Sequence, residues 1–166
     1  MGRCALIVIA ALLSIASPTS GQWIVRESVD EFTDEISQNV LAMSESGSNL
    51  LVSCDADLGV LLAMEVDQRG PNPGEPSTGV LRIDEDPAIE WSFITSSRGR
   101  TMLTGLAPGF GDGEHLLKSL LDGERLIVGT PDYQGVRQVK RFPLEGAREA
   151  LTQLPCVREM LEEGGA

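Results

Sequence analysis

The chain has 166 residues, enough for one domain and little more. Hydrophobic residues make up 42% and charged residues 23%, a globular balance that excludes a long disordered chain. Acids outnumber bases 25 to 13, and the net charge of −12 argues against nucleic acid and anionic membrane surfaces as partners while permitting a basic protein or a cation.

The first segment reads as an export signal. Arg3 supplies the positive start, Cys4 to Ala16 (CALIVIAALLSIA) is apolar, and Ser17 to Ser20 is small and polar. As a helix the apolar run spans about 20 Å, short of the about 30 Å a permanent membrane span needs. Residues 1–21 are therefore expected to be a signal peptide, cut after Ala16 or as late as Gly21, leaving no membrane span. Cys4 precedes the apolar run instead of ending it, which fits a lipoprotein poorly.

Residues 22–158 then read as one β-rich domain, because most of it alternates with period two. Trp23 and Val25 share a face. Val40 and Ala42 oppose Leu41 and Met43, a pattern compatible with burial on both sides. Along Asn49 to Asp55, Leu50, Val52 and Cys54 point one way. Val60, Leu62, Met64 and Val66 point inward along Gly59 to Asp67, and the short link between the two runs predicts a hairpin. Gln68 to Gly79 holds three Pro and three Gly and is expected to be an exposed connection. Strands are expected again at Val80 to Asp84, around Ile89 to Phe93 and at Thr101 to Thr104.

Two helices interrupt this pattern. Asp112 is placed to cap the first, Leu116, Leu117, Leu120 and Leu121 give it an apolar face, and Gly123 stops it. Strand signals return at Leu126 to Val128 and Val136 to Phe142. The second helix is expected from about Glu145 to Leu154, with Ala147, Ala150, Leu151 and Leu154 on one face and Pro155 as its end. The acidic end, residues 159–166, is expected to fray. The expected fold is mainly β: an antiparallel β-sandwich or a partly open barrel with two packed helices.

Loss of the leader leaves Cys54 and Cys156. Two cysteines in an exported chain suggest one disulfide, against two buried thiols as the alternative. Such a bond would pin the last helix against the sheet, and closing a loop of about 100 residues is worth up to about 4.7 kcal/mol in the chain-entropy model. They are too few for a closed zinc site.

The order of these features resembles the VasI-like family of small periplasmic proteins associated with type VI secretion. The likeness is carried by Trp23, by Thr33-Asp34-Glu35 and by Leu50-Leu51-Val52-Ser53-Cys54. Arg82-Ile83-Asp84 followed by Trp91 continues it, and Phe142, Gly146, Ala150, Leu154 and Cys156 close it. The resemblance implies export and a secretion-linked accessory role, and no known activity.

No catalytic constellation stands out. Gly109-Phe110-Gly111-Asp112-Gly113 precedes a helix, but Asp112 and Glu114 would repel phosphate. His115, the single histidine, has no nucleophile placed beside it. Asp55, Asp57, Asp84, Glu85 and Asp86 sit in turns, where carboxylates are ordinary, and lack an EF-hand spacing for calcium. No cofactor and no metal is therefore expected. Arg82 reads first as a member of a cross-strand ion pair. Its functional reading joins it to Asp84 and Asp86 as a candidate partner-binding surface. Trp23, Leu41 and Met43 read as core ahead of an exposed patch.

The expected function is a non-enzymatic periplasmic accessory protein that binds another envelope protein, a basic one being the kind the charge favours. One alternative is an inhibitor of a basic lysozyme-like hydrolase. A more distant one is a cell-wall hydrolase using carboxylates of the Asp84 to Asp86 turn. The residues do not set an oligomeric state.

Overall fold

The computed structural model describes residues 23–29, 31–32, 34, 36–55, 59–65, 72–96, 101–105 (backbone only) and 113–163. The expected signal peptide, the Asp112 cap, Val66, Asp57 and the first part of the Gln68–Gly79 connection lie outside these residues.

Among the described residues nine strands and three helices follow one another in the order β1 (Ile24–Val29), β2 (Ile36–Met43), β3 (Asn49–Asp55), β4 (Gly59–Glu65), β5 (Pro76–Ile83), β6 (Ile89–Thr95), β7 (Thr101–Gly105), α1 (Gly113–Asp122), β8 (Arg125–Pro131), β9 (Arg137–Pro143), α2 (Ala147–Leu151) and α3 (Pro155–Glu163). All pairings are antiparallel and run β1-β2-β3-β4-β7-β6-β5-β8-β9. The seam between β6 and β7 is thin among the described residues, where Ile94↔Leu103 and Thr95↔Met102 pair across it. The ladder folds over there into two layers. Leu50, Leu62 and Met64 of one layer and Gly79, Leu81, Phe93 and Val128 of the other line the same interior pocket. The mainly β expectation holds, as a sandwich with packed helices and not a closed barrel.

Alternation explains why the β3–β4 hairpin forms where the pattern places it. Leu50 and Val52 face Met64 and Leu62 across the ladder, and all four are buried. On β2 the burial is one-sided, against the expectation that Leu41 and Met43 are core: Val40 and Ala42 are buried, Leu41 is half-buried and Met43 is exposed. Trp23 is core, as expected. The leucines of α1 are buried as a set, and Gly123 ends the helix by donating its N–H to Ser119 O at 2.9 Å.

Three expectations need correction. The connection through Gly79 does not stay irregular, because β5 already begins at Pro76 and pairs Pro76 with Ile94. A proline is tolerated as the first residue of a strand, where its missing N–H breaks no ladder. Gly79 is packed so closely that an added Cβ would lie 3.0 Å from Gly129 O and 3.1 Å from Phe93 Cε1. The expected second helix stops early, at Leu151, and a third begins at Pro155. Proline suits the first helical position, since its missing N–H has no intrahelical partner there and its φ is already helical. Finally, the acidic end is not frayed through Glu163: α3 buries Val157 and Met160 on its inner face and leaves Glu159, Glu162 and Glu163 outside.

Cys54 and Cys156 form the disulfide, with Cα atoms 5.7 Å apart and a sequence separation of 102. It joins the end of β3 to the first turn of α3. Cys54 shares its strand face with Leu50 and Val52 but is exposed, although its cross-strand partner Val60 is buried. Cys156 is half-buried.

Candidate binding surface

Arg82, Asp84 and Asp86 meet in and after the end of β5, beside α1. The turn is closed by Asp86 N–H donating to Ile83 O at 3.0 Å. Asp84 takes the left-handed conformation (φ 49°), which Asp tolerates better than most residues. Its backbone N–H donates to Arg125 O at 2.9 Å. Its carboxylate accepts from Arg125 N–H at 2.8 Å and from Glu124 N–H at 3.1 Å. Asp84 therefore extends the β5–β8 ladder by one step, with its side chain serving as backbone acceptor. Arg82 is exposed, and its Nε donates to the Asp84 carbonyl at 3.0 Å.

Between this turn and α1 lies an open cleft of about 330 Å³ lined by Asp84, Asp86, His115, Lys118, Ser119 and Asp122. The turn and His115, far apart in sequence, thus share one cleft. Several of its charges have partners already: Lys118 Nζ lies 2.6 Å from Glu114 Oε1, and the Asp122 carboxylate meets the Arg148 guanidinium. Asp86, His115, Lys118 and Asp122 of this lining are exposed. Among the described residues no group of His, Cys, Asp and Glu is arranged to hold a metal ion.

A second surface has no motif to announce it. β1 and β2 pair from Ile24↔Leu41 out to Val29↔Ile36. β3 joins β2 only from Asn39↔Ser53 inward. Among the described residues, Glu27–Val29 and Ile36–Gln38 therefore pair with each other alone, as a two-stranded arm at the edge of the sheet. Side-chain bonds hold its strands: Ser28 and Ser37 hydroxyls lie 2.7 Å apart, and Gln38 Nε2 donates to Glu27 Oε2 at 3.4 Å. At its tip Val29, Ile36 and Phe32 are exposed, Phe32 by 97%. In sequence, five acids (Glu27, Asp30, Glu31, Asp34, Glu35) are interleaved with these apolar residues, against Arg26 as the one base. The alternation in this stretch is legible in the residues; that it outruns its neighbour β3 is not, since length of overlap is set by tertiary pairing.

At the base of the arm, Trp23 Nε1 donates to Pro143 O at 2.9 Å, tying β1 to the end of β9. Glu45 N–H, in the β2–β3 turn, donates to Arg141 O at 3.2 Å. These single bonds bring the two ends of the sheet together without a ladder.

Among the described residues no helix is long and apolar enough to cross a membrane. No family model matches the chain, and no curated protein matches it significantly. Among solved structures, the crystal structure of invasion associated protein B from Bartonella henselae is similar in fold, with a TM-score of 0.55 at 16% identity, covering 85% of this chain and 96% of that one.

Proposed function

We propose that this chain is a non-enzymatic protein exported to the periplasm, an accessory of the type VI secretion-associated kind, that docks a basic envelope protein through its β1–β2 arm. The observation that carries this reading is the arm itself. An exposed apolar tip on a projecting hairpin is the form of an anchor residue seeking a pocket, and the five acids interleaved with it match a pocket with a basic rim. A second copy of the chain is a poor occupant, because two such arms repel. The Arg82–Asp86 turn and the α1 cleft form a secondary contact surface, with Asp84 holding it in shape. The export leader expected over residues 1–21 and the Cys54–Cys156 bond support an oxidising compartment.

The test places a photo-cross-linking amino acid at position 32 in the native host. A specific basic protein should be captured, capture should fall as salt is raised, and Phe32→Asp should abolish binding with the purified pair. Binding of the purified pair that is indifferent to both Phe32→Asp and salt refutes the arm as the docking element. The same acidic arm favours a second reading, insertion into the cleft of a basic lysozyme-like hydrolase. Clearance of cell-wall suspensions by lysozyme, unaltered in excess protein, removes it.

A further inference from the structure

The geometry points to the Cys54–Cys156 disulfide as a thiol-exchange site that a dithiol oxidoreductase opens at Cys54, releasing helix α3 from the end of the sandwich. The two sulfurs are unequal. Cys54 is exposed at the last turn of the β3 ladder, whereas Cys156 is half-buried and packs against the core. Accessible disulfides are the ones that exchange, and the approachable sulfur is the one attacked. Cys156 is the second residue of the nine-residue helix α3, where the helix dipole favours a thiolate. That makes it the better leaving group.

The exchange balances as follows. An attacking thiolate of the oxidoreductase bonds to Cys54 Sγ as the Cys54–Cys156 bond breaks, and Cys156 departs with the electron pair. The second thiol of the attacking pair, deprotonated, then displaces Cys54 from the mixed disulfide. The oxidoreductase ends as a disulfide. This chain ends with two thiols, having gained two electrons and the two protons given up by the attacking pair.

Helix α3 is the element such a reaction would free. It rests on α1, β3 and β4, and its inward grip is Val157 and Met160. The β3–β4 ladder beneath keeps its own pairing, with Cys54 opposite Val60 and Asp55 opposite Gly59. Reduction thus loosens the C-terminal helix and leaves the sheets in place. This inference does not depend on the arm or on its partner.

The oxidised full-length protein, without denaturant, is exposed briefly to millimolar reduced glutathione, quenched with N-ethylmaleimide and analysed by peptide mass spectrometry. Glutathione on Cys54 with maleimide on Cys156 should exceed the reverse by about tenfold. Equal or reversed adducts, or no adduct until the protein is denatured, overturn the proposal. Hydrogen exchange on the protein reduced with dithiothreitol reads the second half: amides of 155–163 should exchange at least about tenfold faster while β3 and β4 stay protected. Unchanged exchange in α3, or loss of protection throughout, overturns the release of that helix.

Discussion

The indole of Trp23 donates to the carbonyl of Pro143 at 2.9 Å, joining residues 120 positions apart at the two edges of the sheet. The ring is buried and the bond is its polar anchor. Trp23→Phe keeps most of the packing and leaves the Pro143 carbonyl without this donor, which should lower stability by about 1 kcal/mol. Trp23→Ala also empties the site and should cost about 3–5 kcal/mol. Urea unfolding of the two variants separates the hydrogen bond from the packing.

Asp84 and Asp86 stand two residues apart and do different things. Asp84→Ala removes the acceptor of the Glu124 and Arg125 N–H groups and puts a less tolerant residue at φ 49°, so a loss of about 2–3 kcal/mol is expected. Asp84→Asn keeps an acceptor oxygen and the tolerance for that conformation, and should lose about half as much. Asp86→Asn, on an exposed side chain, should stay within about 0.5 kcal/mol of the parent. Thermal melts of the three variants in parallel decide this. If Asp84→Ala melts with the parent, the carboxylate does not cap the ladder.

Much of the fold is legible in the residues because local pattern and burial agree. The alternation at Leu50–Val52 and Val60–Met64 and the leucine face of α1 each name a buried surface by periodicity alone. The errors arise where one residue type has two positional meanings. Pro155 marks a helix stop by its effect on the preceding residue, yet it equally begins a helix, and only the burial of Val157 and Met160 chooses between them. Pro76 likewise serves as a strand start within a segment whose composition reads as loop. The candidate surface is half legible. The Arg82–Asp86 turn is visible from its charges, but that Asp84 binds backbone across the β5–β8 ladder is a tertiary fact. The projecting arm escapes a reading of the residues because strand overlap, not strand propensity, makes it project.

Two glycines should resist enlargement for steric reasons. A Cβ at Gly123 would lie 2.5 Å from Ile83 Cγ2 and 2.9 Å from Ser119 O, inside contact distance of a backbone atom. At Gly79 the nearest atom, Gly129 O, is 3.0 Å away. Gly123→Ala should therefore cost about 2–3 kcal/mol and Gly79→Ala about 1–2 kcal/mol, as typical for overpacking a filled site. Chemical denaturation of both variants checks the order as well as the size.

Removing the cross-link by mutation should be costly but survivable. Cys54→Ala combined with Cys156→Ala frees a loop of 102 residues in the unfolded chain, and a loss of about 2–5 kcal/mol is expected. Because the β3–β4 ladder keeps its own pairing, far-ultraviolet circular dichroism should retain the strand signal, and the urea midpoint should fall. A midpoint equal to the parent would show that the bond adds nothing to the stability of the sandwich.

The arm can be removed without touching the core. The described residues from Ser28 to Ser37 are exposed, and pairing with β3 starts at Asn39. Isolated hairpins contribute little stability by themselves. Joining Glu27 to Gln38 through a short Asn-Gly turn should therefore leave the urea midpoint within about 1 kcal/mol of the parent. The same deletion should abolish partner capture, and in the intact protein capture should weaken between low and high salt because acids dominate the arm's sequence. If the deletion instead collapses the fold, the arm is a structural strand pair, and the exposed position of Phe32 is incidental to binding.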